Sequence, residues 1–205
     1  MSFYSRHILP KLVHYTCSGK QIMRQRSKVV PQAQGLVLEI GIGSGLNLPY
    51  YDANRVTKVV GLDPAIEITR IAIDAANLVP FDVEFVGLPG EEIPFDTNSV
   101  DTIVMTYTLC SIPNTRIALQ QMNRVLKPEG RLVFCEHGAA PDANIRRWQD
   151  RLNPIWSRLG GGCRLNREIP DLLEEGGFKI SDLEAMYIPG WRPTSFNYWG
   201  IAIGT

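Results

Sequence analysis

Glu39, Gly41, Gly43 and Gly45, in the stretch LEIGIGSGLNLPYYD (38–52), are the first residues of this chain whose types and spacing could do chemistry. Alternate glycines after an apolar run read as a nucleotide loop. A dinucleotide turn, however, needs G-x-G-x-x-G, and Leu46 stands where its third glycine belongs. A pyrophosphate turn favours exposed amides and avoids a carboxylate, whereas Glu39 could meet a cation such as an amino-acid ammonium. Asn47 reads as the cap of a following helix with Pro49 in its first turn, leaving nearby amides free for a carboxylate. A tight turn with no ligand would account for the glycines by themselves. Asp63, in GLDP at the end of the next apolar run, can accept both ribose hydroxyls. Followed by Pro64, it also reads as a helix N-cap. An amino-acid end joined to a ribose means S-adenosylmethionine rather than NAD.

Such groups must be held by elements that end beside one another. Apolar runs alternate with helix-period segments, as in a parallel sheet covered on both faces. The strands read as LVLEI, TKVVGLD, VEFVG, VDTIVMTYT and GRLVFCEH. Between them, PAIEITRIAIDAANL has a near-helical stripe at Ile66, Ile68, Ile71, Ala72 and Ala75. NTRIALQQMNRVLKPEG is a second helix, capped by Asn114 or Thr115, striped by Ile117, Ala118, Met122, Val125 and Leu126, and stopped by Pro128 and Gly130. A third starts near Asp142, carries Trp148, Leu152, Ile155, Trp156 and Leu159 on one face, and breaks at Gly160–Gly162. After the short helix PDLLEEGGF, two further strands, FKISDLEAMYI and SFNYWGIAIGT, are joined only by IPGWRPT. So short a link cannot make a parallel crossover, so these two are expected antiparallel. The expected fold is α/β, a doubly wound Rossmann-like sheet of seven strands, mostly parallel, with one antiparallel strand near the C-terminus.

With 205 residues, 44% of them hydrophobic and 20% charged, the chain suits one soluble globular domain. Cys17, Cys110, Cys135 and Cys163 form no CxxC pair and meet no clustered histidines, so neither a metal site nor a redox pair is expected. The net charge is zero, yet the residues up to Leu38 hold six Lys or Arg and no acid, leaving an acidic excess of six elsewhere. That basic, partly apolar arm could lie on an anionic membrane face, or pack over the domain with its charges in water. No basic face can be traced outside the arm, which argues against nucleic acid. No long apolar run or secretory signal is seen, so a cytoplasmic location is the default.

In order and spacing, EIGIGSG, GLDP, LPGEEIPFDTNSVDTIVMTYTLCSI and RVLKPEGRLVFCEHG resemble class I S-adenosylmethionine-dependent methyltransferases, from about residue 35 to the end. That family's seven-stranded sheet carries its last strand inserted antiparallel. GEE at 90–92, LCS at 109–111, and FCEHGAA followed by a tryptophan-rich helix and GGCRLNRE resemble the methyltransferase-like group that includes vertebrate microsomal alkyl-thiol methyltransferases. The quinone-biosynthesis methyltransferases share the first half but not Gly162, Cys163, Leu165 and Arg167. The hydrophobic N-terminal anchor of the vertebrate members is not expected here, so their membrane residence is not carried over.

The resemblance implies cofactor contacts at Glu39, Gly41, Gly43, Gly45 and Asn47, with Asp63 on the ribose, Gly90 and Glu91 at the adenine, and Thr106 near the amino-acid end. It implies a methyltransferase domain over 35–205. Residues 1–34 are expected as an N-terminal helical arm packed over the cofactor and acceptor site, roofing the acceptor pocket together with residues 145–167. The acceptor is expected to be small and apolar, with a thiol or similar soft nucleophile; O- or C-methylation of a quinone or lipid precursor, and a cofactor-binding module without catalysis, are the alternatives. Methyl transfer needs a nucleophile aligned and desolvated, and strand ends line such sites, which brings forward Tyr107, Thr108, Cys110, Glu136 and His137. His137 is the candidate base, an imidazole of pKa ~6.5 facing a thiol of pKa ~8.5; a structural histidine bonded to Glu136 or a loop is the alternative. Trp148, Trp156, Trp191 and Trp199 offer apolar walls. Arg164 and Arg167 could meet an acidic acceptor or pair with Glu168 and Asp171. Cys110 and Cys163 read as small buried hydrophobes, and no covalent intermediate is called for.

Overall fold

The computed structural model describes Tyr4 and residues 8–205, and for residues 66–70 the backbone only. Its sheet has seven strands: β1 (Gly35–Ile40), β2 (Val56–Leu62), β3 (Asp82–Val86), β4 (Val100–Thr106), β5 (Leu126–His137), β6 (Phe178–Tyr187) and β7 (Phe196–Gly204). They lie in the order β3-β2-β1-β4-β5-β7-β6. The first five pair in parallel, and β7 alone is reversed, slotted antiparallel between β5 and β6. The expected seven strands and single reversal are present. The reversed strand is last in the chain but next to last in the sheet.

Alternation of side chains along each strand divides the core. Leu38, Ile40, Ile103, Met105, Leu132 and Phe134 point to one face and meet Ala118, Leu119 and Met122 of α4 (Thr115–Val125) and Leu173 of α6 (Ile169–Glu175). Val37, Val104, Val133 and Trp199 point to the other and meet Val29 at the end of α2 (Lys20–Val29). Fully burying side chains of this size stabilises the fold by about 1.5–3 kcal/mol each. A first helix, α1 (Leu9–Cys17), precedes α2; α3 (Ile66–Ala76) follows β2; α5 (Ala143–Leu159) follows β5; and a single turn, α7 (Arg192–Ser195), leads into β7. No helix among the described residues is long and apolar enough to cross a membrane.

Several local expectations change. No α-helix follows the glycine loop, only a 3-10 turn over Leu48–Tyr50, and Asn47 makes no side-chain cap there because its Oδ1 accepts from Arg26 instead. Asp63 does not cap α3, whose N-cap is Ala65; it accepts instead from Ala65 N, an Asx turn within the loop. Asn114 caps α4 by accepting from Ile117 N. That helix ends at Val125, earlier than Pro128 and Gly130, because a residue before proline avoids the helical region and the chain is already extended at Leu126. In the α3 stripe, Ile71 is exposed and Ala72 buried, while the side chains of Ile66 and Ile68 lie outside the described set.

Candidate active site

One cavity of about 850 Å³ opens where β1, β2, β4 and β5 end. It is bounded by the loops after those strands, by α1 and α2, by the turn after α5 and by the loop between β6 and β7. Its volume lies in the upper part of the usual range for ligand sites, about 300–1,000 Å³.

The glycine loop forms one wall. Gly41 has φ +69, and a Cβ there would come within 2.4 Å of the Thr108 side chain, so only glycine passes under that residue. Gly43 N donates to Asp63 Oδ2 (3.0 Å) and Ala65 N to Oδ1 (2.8 Å), fixing the carboxylate at the mouth of β2. Burial pushes the Asp63 pKa up, against the two amides that lower it. Each oxygen keeps a lone pair for a further donor.

Glu39 does not line the cavity. Its carboxylate is buried behind the wall, accepting from Tyr51 Oη (2.7 Å) and Asn47 Nδ2 (2.9 Å). Burial raises its pKa from 4.5 to about 7, although Tyr51, Arg26 and Asn47 each lower it. Asn47, fully buried, also donates to Thr106 Oγ1 (2.9 Å). Arg26 of α2 completes this network, donating to Asn47 Oδ1 (2.8 Å) and to Thr106 Oγ1, with its guanidinium 5.2 Å from the Tyr107 ring centre. Arg26 is itself on the cavity wall, and its buried Nε has no partner among the described residues. The cation beside Glu39 is therefore a residue of the chain. His14 of α1 ties the arm to the same loop through Ser44 Oγ (2.6 Å). Neither Arg26 nor His14 announces itself by spacing; both arrive through the arm.

At the end of β4, Tyr107 takes φ +54, rare for a bulky side chain. It is held by Tyr107 N donating to Cys135 O (2.9 Å) and its hydroxyl donating to Asn197 Oδ1 (2.6 Å). The bend aims the amides of Thr108 (2.8 Å) and Leu109 (3.1 Å) at Glu136 Oε1. Glu136 thus braces the turn that carries Cys110. Burial raises its pKa to about 7, against those two amides.

His137 does not bond Glu136. Its Nε2 lies 3.3 Å from Cys163 Sγ, which also accepts from Trp156 Nε1 (3.4 Å). Cys110 joins them, so that two sulfurs and a ring nitrogen lie within 4.8 Å of one another. The neighbouring Cys110 thiol and His137 lower the Cys163 pKa against the pull of burial, while Cys110 is raised by that pairing and by burial. Burial lowers His137 most, but Cys163 and Glu136 together raise it and the net shift is upward. Of the two expected roles, a base or a histidine bonded to Glu136 or a loop, the contact with Cys163 in the turn after α5 is of the second kind and sets the ring in a sulfur-rich cluster. Sequence spacing hid this cluster because its members sit on three separate segments.

Gly90, Glu91, Thr106, Tyr107 and Cys110 line the cavity as well, and Glu91 also accepts from Asn114 N (3.0 Å). Gly45 does not line it; it packs on Leu48 and α3. Trp148 lies elsewhere, exposed on the outer side of α5 with Arg151 over its ring. Arg167 faces neither the cavity nor Glu168: it donates to the Ile112 carbonyl (2.6 Å). Of the four tryptophans only Trp156 is a wall; Trp191 is exposed, and Trp199 is core beneath the Lys28 ammonium.

Residues 38–134 match the family described as Methyltransferase domain. Thiol S-methyltransferase TMT1B of Homo sapiens is 31% identical over 197 residues, 91% of this chain and 81% of that protein. Thiol S-methyltransferase TMT1A of Homo sapiens is 32% identical over 176 residues, 84% of this chain and 72% of that protein. A SAM-dependent methyltransferase from Aquifex aeolicus shares the fold, with TM-score 0.67 at 18% identity over 96% of this chain and 98% of that one. The residues present fit S-adenosylmethionine as the cofactor: each Asp63 oxygen keeps a lone pair at the end of β2, and Arg26, Thr106, Gly90 and Glu91 line the same cavity of about 850 Å³. On this similarity and this site, the chain belongs to the class I S-adenosylmethionine-dependent methyltransferases, in the group that includes the thiol S-methyltransferases.

Proposed function

We propose that this enzyme methylates the sulfur of a small, apolar thiol. One observation carries the reading. Apolar side chains such as Leu9, Val13, Ile22, Trp156 and Ile188 line the cavity, which ends on the corner of Cys110, His137 and Cys163 beside the carboxyl ends of β4 and β5. The relatives named as thiol S-methyltransferases support the same acceptor. The cofactor, when bound, supplies an electrophilic methyl group and a neutral leaving group. The chain's part is to align and desolvate the nucleophile, about 3 Å from the methyl carbon.

In this reading Asp63 accepts the ribose hydroxyls, Gly41 and Gly43 give the backbone close approach, and Gly90 and Glu91 flank the adenine. Arg26 and Thr106 meet the amino-acid end, held from behind by Glu39 and Asn47, while Gly45 shapes the loop. Tyr107 and Cys110 stand on the acceptor side, and His137 at the corner where the S–H bond is broken. The described part of the arm, from residue 8 to 34, roofs the acceptor pocket of the 35–205 domain, which the arm residues on the cavity wall from Leu9 to Arg26 support; residues 1–3 and 5–7 of the arm lie outside the described residues. Ile8, Leu12 and Tyr15 are exposed beside the arm's basic charges, which supports peripheral contact with an anionic membrane. Equal co-sedimentation with zwitterionic and anionic vesicles would sink that part. Four thiols without a disulfide support a reducing, cytoplasmic setting.

A labelled-methyl screen of thiols, phenols and quinone precursors tests the acceptor. Thioether products are expected from apolar thiols. Methylation of phenols or quinones with none of thiols would replace sulfur by oxygen or carbon as the nucleophile.

A further inference from the structure

Cys110 comes from the turn after β4, His137 from the end of β5 and Cys163 from the glycine turn after α5, where φ +93 at Gly162 folds the chain back. Their ligating atoms nevertheless lie within 4.8 Å of one another, and all three residues face the cavity. Zn–S bonds of ~2.3 Å and Zn–N bonds of ~2.0–2.1 Å place the ligand atoms of a tetrahedral site about 3.5–3.8 Å apart. His137 Nε2 and Cys163 Sγ, at 3.3 Å, are already near that separation. Two thiolates would balance the charge of the ion, and Cys₂His with a fourth position left open is a ligand set used by catalytic zinc.

We propose that Cys110 Sγ, His137 Nε2 and Cys163 Sγ hold a zinc ion whose open position, facing the cavity, takes the sulfur of the acceptor. The fourth ligand rests on the thiol reading of the function; the three protein ligands do not. On coordination the Zn–S bond forms and the acceptor's S–H proton leaves to solvent, since a metal-bound thiol is deprotonated outright. In transfer the acceptor's S–C bond forms as the cofactor's C–S bond breaks, and the neutral thioether leaves the metal. Nε2 cannot be ligand and base at once, so zinc takes over the ionisation expected of His137.

The test is the metal content of the full chain purified without a histidine tag, together with zinc titration against a colorimetric chelator. About one zinc per chain is expected, with binding about 100-fold weaker or more in Cys163→Ser and Cys110→Ser. Cobalt(II) added to the metal-free wild type should give thiolate-to-cobalt absorption, a readout that needs no variant to fold. Zinc binding no tighter in wild type than in a folded Cys110→Ser/Cys163→Ser variant, or copper found in zinc's place, would overturn the proposal. Thiol methylation is measured separately. Zinc bound with no thiol product would defeat the acceptor assignment and leave the metal site standing; full thiol turnover in metal-free enzyme would leave the acceptor assignment standing and overturn zinc as the holder of the acceptor sulfur.

Discussion

Asp63 shows how one side chain can serve the loop and a ligand together. Each oxygen already accepts one backbone amide, from Gly43 and Ala65, so the carboxylate is oriented before any ligand arrives. That preorganisation lowers the cost of binding. Asp63→Ala removes both the proposed ribose acceptor and the anchor of Gly43. We expect S-adenosylmethionine affinity to fall by about tenfold or more, about 1.4 kcal/mol, measured by calorimetry. Unchanged affinity in a folded variant would remove Asp63 from the cofactor. Tyr107 works differently, through backbone strain of about 1–3 kcal/mol, which its bonds to Cys135 O and Asn197 offset. The bend it makes sets Cys110 at the cavity.

Among the elements, α5 departs most from its sequence pattern. Its apolar positions Trp148, Ile155 and Leu159 are exposed, and the one buried residue of the helix is a glutamine. Gln149 accepts from Ala140 N (2.9 Å) and donates to the carbonyls of Gly138 and Pro193 (3.0 Å each). It pins α5 to the end of β5 and to α7, and so positions Trp156 and the turn bearing Cys163. Gln149→Leu would fill similar space but leave three backbone groups with no side-chain partner. Since each unsatisfied group costs about 1–3 kcal/mol and the groups can partly re-pair, we expect a loss of roughly 2–4 kcal/mol in urea unfolding. An unchanged midpoint would mean that the helix is held by its apolar contacts alone.

For the molecule as a whole, burying Glu39 makes stability depend on pH. Its pKa is 4.5 ordinarily and about 7 in the fold, so between these values the native state holds more protons than the unfolded chain. Stability attributable to this group therefore falls as pH rises from 4.5 to about 7 and is flat outside that window. The effect is at most on the order of 3 kcal/mol. Glu39→Gln should flatten the profile there, read from denaturation midpoints at several pH values; an identical slope would place the dependence on other groups. The pattern of apolar runs, the short link before the last strand and the failed dinucleotide spacing were enough to read the sheet, its single reversal and the cofactor from the chain itself. Those features are local, written in periodicity and turn chemistry. Tertiary structure decided that Arg26 stands beside Glu39, that β7 lies between β5 and β6, that Trp148 faces water, and that Cys110, His137 and Cys163 meet. Each of those facts depends on how distant segments pack, and residue spacing along one chain carries no record of that.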